Sequence, residues 1–399
     1  MFNPINSKTK NKPTFELFLL EIRDGDFIDT IPILIYVVNF IYAFTIMRLL
    51  YKDVPDVLLL KLSAEVNKYF VLNKIDQYMN KMMIVKLIVM LFSLLFFYLA
   101  IYFFYPNFHL ALISGFLYGL FTFFVAFNLA HDAGHNAVFR SKKYNRILLY
   151  LLNLIGVSSY IFQSKHNRHH FGPNISGSDA DIDDFKIGRL VKDSKKSFIF
   201  RFQSFYLPIA YLFYYFAWVT YKDILAFKTI RNPDGKSLIH PRNEVVNLIL
   251  TKFFIVGLHV FAPLILLGLN WQQLFMLNVS IYLAPGLMML FFVIPVHLNL
   301  KTKFPLPDIN NRLPYSWSEH QVLTTLDYST QHPIINFFMG GFNHHVVHHL
   351  FPHICHCHYP ALTPLLKKVI EDSGVHYQCV SYYQLLPLHL SYLKKMGRL

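Results

Sequence analysis

Two stretches of this chain contain no ionisable Asp, Glu, Lys or Arg. From Leu87 to Ala130 there are 44 such residues, interrupted near the middle by Tyr105-Pro106-Asn107. From Phe253 to Val296 there are 44 more, interrupted by Gly268-Leu269-Asn270-Trp271. A bilayer-spanning helix needs about 20 apolar residues, so each stretch fits two spans joined by a tight turn. Two hairpins result, with spans at about 87–105, 109–130, 253–269 and 273–296, and both begin and end on one membrane face. Their turns carry no Lys or Arg, whereas twelve fall between Arg140 and Arg201. The positive-inside rule therefore assigns that segment and both hairpin bases to the cytoplasm. The expected fold is an all-α, multi-pass integral membrane protein: two transmembrane helical hairpins (four spans) under a cytoplasmic helical cap.

Composition supports this assignment. The chain is 54% apolar and 15% charged, with 40 Phe and 25 Tyr, which excludes a disordered chain. The net charge of +14 would suggest nucleic acid in a soluble protein, but here it fits basic loops beside anionic headgroups. No nucleic-acid partner is expected. Cys355, Cys357 and Cys379 cannot make a disulfide framework. The opening MFNPINSKTKNKPTFELFLL lacks the pattern of a cleaved signal peptide. Residues 1–55 read as an N-terminal extension, either interfacial or, through Ile31–Met47, one extra span; 56–399 read as the main domain. Ile147–Ser164 and Phe202–Tyr221 are long enough to cross but are interrupted by Gly156 and Pro208 respectively.

Twenty histidines are present, and their spacing is informative. The first hairpin runs into His131-Asp132-Ala133-Gly134-His135, with imidazoles at i and i+4 on one helix face. His166-Asn167-Arg168-His169-His170 and His345-Val346-Val347-His348-His349 repeat an i, i+3, i+4 spacing. Eight imidazoles exceed a four-coordinate zinc site and suit two metals of higher coordination number. The second hairpin ends at His297 as the first ends at His131, giving a ninth candidate. If Ile147–Ser164 crossed the bilayer, the first two boxes would lie on opposite faces, so it is expected to lie in the interface or re-enter. The same argument keeps Phe202–Tyr221 from spanning. One HxxxH alone is commonly chance, but three boxes on one face of a two-hairpin protein are not. His344 should point away from the centre, and His109 and His259 suit packing or a local hydrogen bond. The alternate-residue tract His353–His358 does not suit a helix-borne site and reads as structural. Asp132, Asn343 and the run Asp179, Asp181, Asp183 and Asp184 are candidates to hydrogen-bond and orient the imidazoles, although an acidic run is equally a solvated loop.

HDAGH, HNRHH and HVVHHLFP, in this order between hydrophobic hairpins, resemble the three histidine boxes of the membrane fatty acid desaturases. The resemblance extends over roughly Leu58 to Leu399. LSAEVNKYFVLNKID, KKYNRILLYLLNLIG, SGSDADIDDF and MGGFNHHVVHHLFPHICHCHYPAL are similar to the bacterial linoleoyl-CoA, delta-6-type branch. There a histidine stands seven residues before a Phe-Pro pair, as His297 stands before Phe304-Pro305. The chain departs from that branch at the first position of the third box, usually Gln and here His345.

This resemblance implies a centre of two Fe ions on His131, His135, His166, His169, His170, His297, His345, His348 and His349. It also implies O2 as oxidant and an acyl-CoA or acyl-lipid as substrate, with a double bond as product. The chain would enter a closed tunnel between the hairpins, because an open site would let water intercept the oxidant. No cytochrome-b5-like haem motif, flavin signature or iron–sulfur cysteine pattern is visible; His332-Pro333 lacks the glycines of the haem motif. Electrons are therefore expected from a separate donor such as cytochrome b5 or a ferredoxin, and Lys142, Lys143, Lys165 and Arg168 could dock it. The location is a bacterial inner membrane or an endoplasmic reticulum. A hydroxylase, epoxygenase or carotenoid ketolase would share these boxes. A metal transporter should show polar residues in mid-span, and the two stretches show almost none.

Overall fold

The computed structural model describes residues 51–52, 55–183, 187–229 and 238–399. Ile31–Met47 and nearly all of the N-terminal extension lie outside the described residues. Helix α1 (Val57–Asn73) starts under Asp56, whose carboxylate accepts from the Leu59 N–H at 3.0 Å. Helix α2 (Lys81–Phe104) starts under Asn80, whose side chain accepts from the Met83 N–H. It stops at Tyr105-Pro106, since proline cannot continue the backbone ladder. Helix α3 (Phe108–Val125) returns and remains helical to Gly134. Helix α4 (Lys142–Leu149) and a single turn, Leu151–Leu154, lead to α5 (Ser159–Phe171) across a bend of 108°. Gly156 makes that bend at φ +86°, a left-handed conformation open to glycine. The segment Ile147–Ser164, expected not to cross straight through, is cut at this point.

Helix α6 (Gln203–Leu212) contains Pro208 and ends at Phe213, after which only short helical pieces continue to Thr229. Helix α7 (Arg242–Val256) continues to Leu267, where Gly268 at φ +62° stops it. Helix α8 (Trp271–Met288) opens with a capping box: Asn270 and Gln273 each accept the other's backbone N–H. It stays helical to Val296. Four helices, Lys81–Phe104, Phe108–Gly134, Arg242–Leu267 and Trp271–Val296, are long and apolar enough to cross a membrane. The remainder, also mostly helical, includes α9 (Trp317–Thr324), α10 (His345–Leu350), α11 (Tyr359–Asp372) and α12 (Tyr382–Arg398). A two-residue parallel ladder pairs β1 (Asp327–Tyr328) with β2 (Cys379–Val380).

The first and third of these long helices begin well before the expected 87 and 253. The charges that mark those sequence boundaries lie inside the helices and are hydrogen-bonded there. Lys252 reaches Asp223 at 2.8 Å and the carbonyls of Gly156 and Trp218. Lys86 is buried, with its ammonium 2.9 Å from His356 Nε2. A paired, hydrogen-bonded cation is tolerated in surroundings that reject a bare one.

Helices α3 and α8 approach closely through glycine. A Cβ on Gly119 would stand 2.0 Å from the Ile281 carbonyl oxygen, and small residues at such contacts are what lets two helix backbones meet. Both of these helices contain a five-residue π turn before the site, Ala126–Ala130 and Met289–Val293. Each π turn shifts the helical phase of the residues beyond it, so His131 and His297 emerge turned relative to their helices. Gly119→Ala should lower stability by about 1–3 kcal/mol through overpacking, measured by thermal unfolding in detergent. Gly257→Ala, in a helical segment with nothing within 4 Å of the new methyl, should leave the midpoint unchanged or raise it slightly.

Candidate metal centre

The histidine boxes lie on three helix ends. His131 is on the last turn of the α3 helix and His135 caps it. His166, His169 and His170 end α5, and His345, His348 and His349 lie on α10. His297 comes directly after a short 3-10 turn that ends α8. The structure brings all nine together in two groups. His131, His135, His166, His170 and His348 form one; His169, His297, His345 and His349 form the other. Within each group every residue offers a ligand atom, all within 4.8 Å of one another. The groups adjoin where His170 stacks on His349, ring centroids 4.3 Å apart.

Hydrogen-bond partners assign several of the ring protons. His169 Nδ1 donates to Asp179 Oδ1 (3.0 Å), His297 Nδ1 to the Thr324 carbonyl (3.0 Å) and His349 Nδ1 to Gln321 Oε1 (2.9 Å). In the neutral ring each Nε2 is then a bare lone pair. Yet His169 Nε2 and His297 Nε2 face each other at 3.0 Å, and His345 Nε2 lies 2.6 Å from His297 Nε2. His166 Nε2 and His170 Nε2 also lie 3.0 Å apart. Among the described residues, both nitrogens of His131 and the Nε2 atoms of His135, His348 and His349 are buried without a partner. Buried imidazole nitrogens that converge in this way offer the lone pairs a cation would satisfy. The donor set therefore fits two metal ions of the kind that imidazole prefers.

Burial pushes His135, His166, His170, His297, His345, His348 and His349 well below the ordinary imidazole pKa, leaving them neutral, as ligands must be. For His169, burial lowers the pKa but the Asp179 carboxylate outweighs it and holds the imidazole up at about 9. The same carboxylate suits His169 as an Nδ1–H donor beside a metal at Nε2. Asp179 itself is raised by burial but pulled below the usual carboxylate range by His169 and the Asn174 N–H.

Other expected residues are placed less uniformly. Asp132 accepts from His356 Nδ1 and has its other oxygen 3.8 Å from His131 Nδ1. Asp181 is half exposed, 3.7 Å from His169 Nδ1. The side chains of Asp183 and Asp184 lie outside the described residues. Asn343 bonds to Asn336 rather than to a box histidine. His344 turns away to Thr363 and Asn336, and His259 bonds to Tyr282 and Tyr118. Gln321, the Thr324 carbonyl and Asp327, which accepts from the Val346 N–H at the start of α10 at 2.7 Å, do not stand out in the sequence. Their only local signal is the Ser316–Glu319 capping box that starts α9.

Beside His131 and His345 a cavity opens between Phe127, Phe162, Trp218 and Met289. A second, almost wholly apolar pocket shares these four residues and runs on to Thr122 and Pro285, deep between α3 and α8. Together they form a largely apolar space that reaches both histidine groups, touching His131 and His166 of one and His169, His297 and His345 of the other, with Asn174, Asp179 and Asp181 also in its lining. It suits a linear hydrocarbon chain, with the converging imidazoles beside one part of its length.

Residues 106–381 match the fatty acid desaturase family model. The chain is 32% identical over 276 residues to the sn-1 linoleoyl-lipid 6-desaturase of Synechocystis sp., covering 68% of this chain and 77% of that one. It is 31% identical to the enzyme of the same name from Arthrospira platensis, over 68% of this chain and 74% of the relative. Similarity to the acyl-lipid (8-3)-desaturase of Physcomitrium patens is 26% over 344 residues, 85% of this chain and 71% of the other. With more than half of its length in that match and relatives of this kind, the chain belongs to the fatty acid desaturase family and acts as a fatty acid desaturase.

Proposed function

We propose that this chain introduces a double bond into a lipid-linked acyl chain at two iron ions held by nine histidines. His131, His135, His166, His170 and His348 would hold one ion; His169, His297, His345 and His349 would hold the other. The observation that carries this reading is the pairing of two convergent, all-imidazole groups with an apolar cavity that passes beside them. The names of the relatives, which are acyl-lipid desaturases, favour a lipid-linked chain over acyl-CoA. The proposed balance is –CH2–CH2– + O2 + 2 e⁻ + 2 H⁺ → –CH=CH– + 2 H2O.

When bound, the iron pair supplies the oxygen activation and the oxidising strength needed to remove hydrogen from an unactivated methylene. The protein's own residues supply position and dryness. Asp179, Gln321 and the Thr324 carbonyl hold protons on the Nδ1 atoms of His169, His349 and His297. Phe127, Phe162, Trp218 and Met289 exclude water from the methylenes nearest His131. Electrons would come from a separate donor, cytochrome b5 or a ferredoxin. Lys142 and Lys143 are exposed on α4 and available to dock it, whereas Arg168 already donates to the Ser178 carbonyl. The four long helices would make the protein multi-pass, with residues 56–399 as the catalytic domain and its histidines on the cytoplasmic face.

Gas chromatography–mass spectrometry of a desaturase-free host tests this directly. The unaltered chain should yield a new unsaturated acid that disappears with His348→Ala. A hydroxylated acid instead would move the assignment to a hydroxylase on the same scaffold. Asp179→Ala should weaken the metal of the four-histidine group by about 10–100-fold, read by chelator competition. Ala126→Leu, narrowing the apolar end of the cavity, should lower turnover of longer acyl chains against shorter ones by about tenfold, read from product ratios.

A further inference from the structure

Lys86 and His356 have no part in the chemistry so far. Lys86 lies on α2, where its neighbours Val85, Ile88 and Val89 are exposed to the surroundings while its own side chain is 4% exposed. Its ammonium lies 2.9 Å from His356 Nε2, with the Phe337 ring 5.2 Å away. An ammonium only donates, so His356 Nε2 accepts and Nδ1 carries the ring proton. That proton is donated to Asp132 Oδ2 at 2.7 Å, and the His356 backbone N–H reaches the same oxygen at 3.0 Å. Asp132 and His356 are 1% and 3% exposed. A neutral imidazole thus bridges a buried cation and a buried anion contributed by three segments far apart in the chain.

The position of this bridge gives it a consequence. Asp132 is inside the HDAGH box, next to His131, and its backbone carbonyl receives the His135 N–H. His356 also supports the third box: a Cβ on Gly341 would stand 2.6 Å from the His356 Cβ, and His345 lies four residues further along. Asp132, Cys355 and His356 converge as metal ligands would. Both nitrogens of His356 are already committed, however, and the cation beside it is Lys86.

We propose that Lys86 and His356 are positioning residues. Through Asp132 they hold the first histidine box in register with the third, and so determine the affinity of the five-histidine group for its metal. The inference rests on the two-metal reading above and concerns the chain's own residues, whichever acyl substrate it takes.

The test uses the full-length, detergent-solubilised protein stripped of metal and titrated with cobalt(II) against a competing chelator, monitored by ligand-field absorption. The unaltered chain should take up two cobalt ions. In Lys86→Met one step should weaken by about 10–100-fold while the other stays in place. Arg189→Met removes another buried cation, whose guanidinium donates to the carbonyls of Lys192 and Met396 rather than to a segment that carries a box histidine. It should cost stability in a thermal melt and leave both steps unchanged, separating loss of fold from loss of position. Two unaltered steps in Lys86→Met would overturn the inference alone. No cobalt uptake by the unaltered chain would overturn the two-metal reading and the inference with it. Should Lys86→Met fail to fold, His356→Gln and His356→Leu decide. The Gln amide can accept from Lys86 and donate to Asp132, so it should retain both steps where Leu loses one. Equal behaviour of the two would overturn the proposal.

Discussion

The rest of the structure depends on the convergence of buried imidazole lone pairs. Nine converging imidazoles cannot all satisfy one another: as neutral rings with Nδ1 protonated, His169 and His297 face each other through Nε2 atoms that both accept. Each ring must therefore be held from behind. Asp179, Gln321 and the Thr324 carbonyl do this at Nδ1 for one group. Where such supports are present they set both the tautomer and the plane of the ring. That requirement explains why residues far from the boxes in sequence crowd around them in space.

The helices deliver the rings by departing from regular geometry. Straight α-helices through Val125 and Met288 would present different residues to the site, and the π turns at Ala126–Ala130 and Met289–Val293 change that phase. The 108° bend at Gly156 turns α5 so that His166, His169 and His170 meet the rings of the other two boxes. The backbone contact of Gly119 with Ile281 holds α3 and α8 together below. The space left between them is the apolar pocket that ends at Thr122 and Pro285. The candidate metal site and the cavity are thus two results of one helix packing.

Much of the frame is legible in the sequence for a physical reason. A long run without charge has few alternatives to a buried or membrane-embedded helix, and the turn at Tyr105-Pro106 and Gly268 is written in residues that stop helices. The i, i+3, i+4 spacing of histidines is likewise local, because helical periodicity alone puts those rings on one face. Helix starts were less legible. Lys86 and Lys252 mark ends of apolar runs, yet both sit inside helices because His356 and Asp223 meet them. Asn343, adjacent to a box, bonds elsewhere, while Gln321, distant from every box, holds His349.

The sequence by itself determined where the four long apolar helices fall and which box histidines share a helix face, because these are set by nearest-neighbour geometry along one backbone. Only the tertiary structure decided how the rings divide into five and four, and which acceptors stand behind them. It also decided that a buried lysine reaches the first box through a histidine of the C-terminal tract. Those outcomes depend on distances between segments separated by up to 270 residues. Such distances are set by how helices pack and bend, and no local pattern of residues encodes them.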